Sequence, residues 1–296
     1  MRVTTFALSN FLLTYALSTQ VKLAEKQTQE ASGLLSSTYG GLGSDAGTLV
    51  DLEVSLARSE SYAYAAEQAT NRVEVMYSAT GSIVDLLTDM RTEVSAASVD
   101  TSDIDTFQDT AASLLEELES LLNTQYEGRY LFAGSNTQEE PVDLDSYTAT
   151  DLTTADTSYH SGDDTIISVH VSSQRTVSYG VTADNDAFEE AIRVLSYIAN
   201  ADELTDDDLE TIGDMLVEAQ DGVIAIQSGL SLDAGSLENA QTEQEELIAL
   251  TETSIDDIRS VDLATVAVEI AQYETQLEAS YAAVGKLSDF SLLDYL

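Results

Sequence analysis

The sequence predicts a mainly α protein: a long antiparallel coiled-coil helical stalk formed by both chain termini, carrying a small β-rich inserted outer domain. Three observations point there. One proline and no tryptophan or cysteine in 296 residues, with 43% hydrophobic side chains, suit long helices that bury a real core. Apolar residues recur at alternating spacings of three and four near both ends and through most of the chain, which is the period of a helical seam. That period fails in one region, just beyond the stretch GRYLFAG at residues 128–134, where short alternating segments take over.

Taken in order, Leu17, Val21, Ala24, Thr28, Ala31 and Leu35 form a first, weak seam. From Leu52 to Val94 a second tract of heptads carries Leu56, Ala66, Thr70, Val73, Tyr77, Thr80, Val84 and Leu87, predicting a long helix with a narrow apolar stripe. Phe107, Ala111, Leu114, Leu118 and Leu121 mark a third helix, with Asp103 or Asp105 as its N-cap and an end near Gly128. Residues 129–183 then read as the β-rich insert, with strands expected at 165–171 and 176–181. Helical spacing returns at Asp186 and again at Asp206. The last tract, 232–293, is the most regular, with Leu263, Val266, Ile270, Tyr273, Leu277, Ser280, Val284 and Leu287 on one stripe.

The expected organisation is terminal coiled-coil segments at 1–35 and 259–296, a helical stalk at 36–128 and 184–258, and the outer insert at 129–183. Burying the apolar side chains of the C-terminal stripe releases on the order of 10 to 20 kcal/mol gross, before ordering entropy. Left in water the stripe gains none of this, so the two ends are expected either to pack on each other and on neighbouring copies or to stay loose in the free monomer. The candidate self-assembly interface is therefore Leu17, Val21, Ala24, Leu263, Val266, Ile270, Tyr273, Leu277, Val284 and Leu287, with Phe290 and Leu293 of the closing FSLLDYL as an apolar plug.

Charge narrows the partners. The chain holds 11 basic and 54 acidic residues, net -43, and residues 92–258 alone hold 38 acidic against 3 basic. Phosphate backbones and anionic membrane surfaces both repel such a chain, so neither nucleic acid nor membrane is expected as a partner. Without cysteine there is no disulfide framework and no thiolate chemistry. The N-terminal apolar stretch is broken by Ser9, Asn10 and Thr14 and does not read as a cleaved signal peptide.

No site chemistry is expected either. His160 and His170 lack metal-ligand spacing and read as exposed strand and turn residues. The acidic runs Asp100-Asp103-Asp105, Asp184-Asn185-Asp186 and Asp206-Asp207-Asp208 match no calcium-binding loop and read as helix caps or solvated faces. Gly40-Gly41-Leu42-Gly43 has no following Lys-Ser/Thr and reads as a hinge between helices. Catalytic, cofactor-binding and metal residues are accordingly none, and an enzyme is the class least expected.

At this point the residues resemble a known family. Met1-Arg2-Val3-Thr4-Thr5, Gln29-Glu30-Ala31-Ser32-Gly33, Gly128-Arg129-Tyr130-Leu131-Phe132-Ala133-Gly134, Leu277-Glu278-Ala279-Ser280 and the terminal Ser291-Leu292-Leu293-Asp294-Tyr295-Leu296 are similar to elements of the bacterial flagellin superfamily, within it the hook-filament junction branch called hook-associated protein 3. The first segment resembles that family's strand-to-helix opening, the second its break after the first helix. One departure is the loop 39–47, which lacks the family's Asp-Pro signature. The resemblance implies a structural subunit of the extracellular flagellum, partnered by copies of itself and other axial proteins and by an export chaperone, and exported unfolded through the flagellar type III channel without a cleaved signal peptide. A main filament flagellin is the near alternative. A soluble coiled-coil adaptor or signalling protein is the alternative of a different class.

Overall fold

The computed structural model describes residues 2–97 and 104–289, with side chains described for residues 7–96 and 104–286. Helices dominate: α1 (Arg2–Ser32), a single 3-10 turn (Tyr39–Leu42), α2 (Asp45–Ala97), α3 (Ile104–Leu122), α4 (Asp186–Asn200), α5 (Asp206–Arg259) and α6 (Leu263–Asp289). Between α3 and α4 lie two antiparallel pairs, β1 (Gln125–Tyr126) with β2 (Arg129–Tyr130), and β3 (Ile167–His170) with β4 (Thr176–Tyr179). Residues 2–5 already belong to α1, so the strand-to-helix opening suggested by the resemblance is absent. Contacts divide the chain into two compact units, one of residues 1–57 with 248–296 and one of residues 58–247.

In the larger unit, α2 buries more than the narrow stripe expected of it. Ala66, Thr70, Val73, Thr80, Leu87 and Val94 are buried, and beside them so are Ala69, Met76, Ala79, Ile83, Leu86 and Met90, whereas Tyr77 is exposed. The face is broad because several elements reach it. Arg72 donates to the Tyr179 hydroxyl of β4 at 3.4 Å, and Gln220 of α5 donates to the Thr88 hydroxyl at 2.7 Å. Helix α4 is amphipathic to the point of burying Phe188, Ile192, Leu195 and Ile198 completely. It starts at the Asn185 cap, whose side chain accepts from the Ala187 amide at 3.1 Å. Helix α5 starts with a reciprocal capping box in which Thr205 and Asp208 bond each other's amides at 2.9 and 3.2 Å.

The stretch at 128–134 is the place where helix gives way to the insert. Glu127 and Gly128 both have positive φ, 52° and 72°, the two-residue turn that matches the twist of a hairpin, and it folds β2 back on β1. Leu131, Phe132 and Ala133 then dive into the interior, where the Phe132 ring meets Phe188 edge to face at 5.9 Å. The Phe132 carbonyl accepts from the Ala183 amide at 2.9 Å. Gly134, at φ 65°, turns the chain out again against Asp163, whose carboxylate accepts the amides of Ser135 and Thr165, each at 2.9 Å.

The insert is less regular than its composition suggests. Beyond β2, strands are confined to 167–170 and 176–179, and the chain from 131 to 166 runs through turns with one isolated bridge, Val142 to His160. Side chains organise it instead. Asn123 makes a reciprocal pair with the Val142 backbone at 2.8 and 3.1 Å, and Tyr159 donates to the Ala183 carbonyl at 3.1 Å while stacking edge-on to Tyr147. A buried ion pair within α4, Arg193 to Glu189 at 3.0 Å, also holds the Leu152 carbonyl and the Asp156 amide. Val142, Tyr147, Leu152 and Tyr159 share one hydrophobic cluster with α2, α3, α4 and α5 rather than forming a separate core.

Candidate assembly interface

In the smaller unit, α1 and α6 pack antiparallel along their length. Lys26 meets Glu269 at 2.8 Å, and an antiparallel bridge joins Leu34 to Ser260. The pair is partly exposed and contributes ~0 to 1 kcal/mol, so it sets direction more than strength. The stripe α1 gives up is Leu12, Ala16, Thr19, Leu23 and Lys26, at spacings of four and three, all buried or half-buried. On α6 the covered stripe contains Val266, Ile270, Tyr273, Leu277, Ser280 and Val284, with Val266 and Ser280 buried and the others half-buried. Elsewhere in this unit a small cluster of Leu42, Leu49 and Ile255 anchors α2 to α5.

Where α1 ends, the chain is tied to the break between α5 and α6. Gly33 takes φ 72° and closes α1 by donating to the Gln29 carbonyl at 2.8 Å. Two backbone bonds cross the joint, Leu35 N–H to the Arg259 carbonyl at 2.7 Å and Val261 N–H to the Gly33 carbonyl at 3.0 Å. Arg259 also reaches Glu53 at 3.3 Å, and Glu53 accepts from the Tyr39 hydroxyl at 2.7 Å. That hydrogen bond, with the Glu53 charge behind it, raises the Tyr39 phenol above its ordinary range. Helix α6 restarts at Asp262, whose carboxylate accepts the Thr265 hydroxyl at 2.8 Å and the Ala264 amide at 2.9 Å, and these bonds hold its pKa below the usual carboxylate value.

The structure places the candidate interface residues in two groups. Val266, Ile270, Tyr273, Leu277 and Val284 lie together on the face of α6 that α1 covers, while Leu263 is half in water at 50% exposure. Leu17, Val21 and Ala24 are exposed, on a different face of α1 from the one packed on α6. Leu287 lies where side chains are not described, and Phe290 and Leu293 lie outside the described residues. A count of apolar residues alone misses the stripe α1 uses, because Thr19 and Lys26 interrupt it.

What α1 keeps in solvent is strongly apolar. Leu13, Leu17 and Val21 are 48, 54 and 68% exposed, and Leu8, Phe11 and Tyr15 are 48, 66 and 48% exposed. At ~100° per residue the first set lies roughly opposite the covered stripe and the second flanks it. One partner helix cannot cover both. Half-exposed side chains of this size have on the order of 1 kcal/mol each still to gain, about 6 kcal/mol per subunit over the six. On α6, Val268 and Tyr281 are also exposed, at 68 and 51%.

Other candidate chemistry is placed as follows. His170 is exposed on β3 and shares a 2.7 Å hydrogen bond with the Thr176 hydroxyl. His160, expected to be exposed, is half-buried beside Val142 with neither ring nitrogen partnered. Asp186, Asp206 and Asp207 lie in the first turns of α4 and α5, where an anionic side chain suits the helix dipole, and Asp105 does the same in α3. Asp103 lies outside the described residues. Among the described residues no three His, Cys, Asp or Glu side chains gather as a metal ion requires, and no helix is long and apolar enough to cross a membrane.

Comparison with known proteins agrees with this geometry. Residues 3–137 match the family described as the bacterial flagellin N-terminal helical region. No curated protein sequence matches the chain. Among solved structures, a protein of Vibrio parahaemolyticus described as a flagellar hook-associated protein aligns with TM-score 0.61 at 15% identity, covering 75% of this chain and 99% of that one. FlgL of Bacillus cereus aligns with TM-score 0.57 at 15% identity, covering 70% of this chain and 99% of that one. Residues 3–137 are thus similar to the bacterial flagellin N-terminal helical region, and the fold is similar to that of the two solved flagellar proteins.

Proposed function

We propose that the chain is a structural, non-enzymatic subunit of the extracellular bacterial flagellum that self-assembles through its terminal helices at the hook-filament junction. The observation that carries this reading is the apolar surface α1 leaves in solvent, on faces too far apart for one neighbour to cover. A closed tube of repeated subunits supplies several neighbouring helices to each α1. Leu17, Val21 and Ala24 then contact adjacent copies, and the α6 stripe from Val266 to Val284 holds the pair together inside each copy. Other axial proteins of the flagellum cap the assembly above and below. Export follows the flagellar type III route with a chaperone covering the terminal helices. A chain with no disulfides and a single proline offers that route little resistance.

The test follows from exposure. Leu17→Asp and Val21→Asp introduce charge where the single chain is already solvated, so each variant folds as the parent does. In the assembly each buries an unpaired carboxylate at a cost of several kcal/mol per contact, and polymerisation is lost. Ile270→Asp and Leu277→Asp disrupt the α1–α6 pair as well. Gold-labelled antibody seen by electron microscopy is expected only between hook and filament. Label along the whole filament would replace the junction by a filament role, and normal assembly from both α1 variants would reject self-association through this face.

A further inference from the structure

We propose that the unit formed by residues 58–247 is a salt-requiring fold, whose stability keeps rising as cations screen its surface into the molar range. It stands independently of the assembly reading, because it concerns a single chain. Residues 58–247 hold 40 acidic side chains against six basic, all arginine. Four of those arginines are drawn into bonds of the fold: Arg72 with Tyr179, Arg91 with Gln220, Arg175 with Glu243 and Ser236, and Arg193 with Glu189. Among the described residues of this unit, only Glu189 and Glu243 therefore sit in an ion pair. The other described carboxylates of the unit have no cation within ion-pair distance.

Helix α5 concentrates the problem. Glu210, Asp214, Glu218 and Asp221 are all exposed and follow one another at spacings of four, four and three, so each carboxylate neighbours the next along one face. Like charges so placed repel, and the only basic residue on α5 is Arg259 at its far end. Glu218 also repels Glu190 of α4, whose carboxyl is raised by burial first and by that charge second. The length scales decide how much salt is needed. Neighbouring side chains on such a face are ~5 to 6 Å apart. The screening length is about 10 Å at 0.1 M and about 3 Å at 1 M, so ordinary ionic strength leaves these repulsions largely in place and molar salt removes them. Net charge of this size opposes compaction by the same route over the whole unit.

The experiment is thermal unfolding of the full chain at neutral pH in potassium chloride from about 0.05 to 2 M, by circular dichroism, alongside the quadruple variant E210Q/D214N/E218Q/D221N. The wild-type midpoint is expected to rise by about 10 °C or more, with part of the rise above about 0.3 M. The variant starts higher at low salt and converges on the wild type at the top of the range. A flat wild-type profile overturns the proposal, and so does a gap between the two proteins that is equal at both ends, since that gap is not electrostatic. A full rise at about 0.1 mM calcium in low salt marks one specific ion site and overturns diffuse screening. The midpoints are compared at chain dilutions where light scattering shows a monomer at every salt concentration, so a failed junction assignment leaves this result standing, and the converse holds too.

Discussion

Gly134→Ala is expected to destabilise the larger unit by about 3 kcal/mol, and Gly128→Ala by about 1 kcal/mol, although the two glycines sit six residues apart with nearly the same backbone. Their φ values are 65° and 72°, in the left-handed region where an alanine costs ~1 kcal/mol at either position. The difference is what surrounds them. A β-carbon at Gly128 meets nothing within 4 Å. One at Gly134 overlaps the carbonyl oxygen and a carboxylate oxygen of Asp163, with the carbonyl carbon only 3.0 Å away. Backbone must move to admit it, and such overpacking costs ~1 to 3 kcal/mol. The movement also pulls Asp163 from Ser135 and Thr165, loosening the turn that seats Phe132. Urea unfolding of each full-length variant by near-ultraviolet dichroism of the tyrosines measures both changes. Equal destabilisation within about 0.5 kcal/mol would refute the close approach at Gly134 and leave only the shared conformational cost.

Other outcomes follow from the same contacts. The Tyr147 hydroxyl is buried without a partner, so Tyr147→Phe is neutral or stabilising, whereas Tyr159→Phe strands the Ala183 carbonyl and costs about 1 kcal/mol, as urea midpoints will show. Burial pushes the Tyr147 phenol up to about 12 from 10.0, so the folded state holds that proton longer than the unfolded chain; stability is unaffected below pH about 10 and falls between about 10 and 12, a slope that Tyr147→Phe reduces in an alkaline titration. Glu189→Gln leaves Arg193 buried without its counter-charge and costs roughly 3 to 5 kcal/mol in the same unfolding assay. Asp262→Ala removes the α6 cap, and faster amide exchange at Thr265 and Val266 with α5 unaffected is the expected sign.

The helices were legible because their apolar spacing is set by the helix period alone. Asp186 and Asp206 were found as starts, and the third helix by Phe107, Ala111 and Leu118, since capping and periodicity are local properties. Apolar spacing runs unbroken through 232–293, so it does not reveal the joint at 260–262, although Asp262 followed by Thr265 is a cap signal readable in sequence. The second buried row of α2, from Ala69 to Met90, was not legible, because it exists only where β4 and α5 come to lie on that helix. The same holds for α1, where the covered stripe includes Thr19 and Lys26 and only the position of Glu269 makes Lys26 useful there. The strands expected at 165–171 and 176–181 are shorter in the structure, since alternation continues past the residues that find a ladder partner.

The crossing between Gly33–Leu35 and Arg259–Val261 is a splice made from main chain alone. Because its two bonds are blind to side-chain identity, substitutions nearby are absorbed so long as residue 33 can keep its left-handed turn. Length is another matter: one residue gained or lost on either strand slides the donors off their acceptors and throws α6 out of step with α1. Drift in spelling is cheap at this spot, and drift in spacing is not.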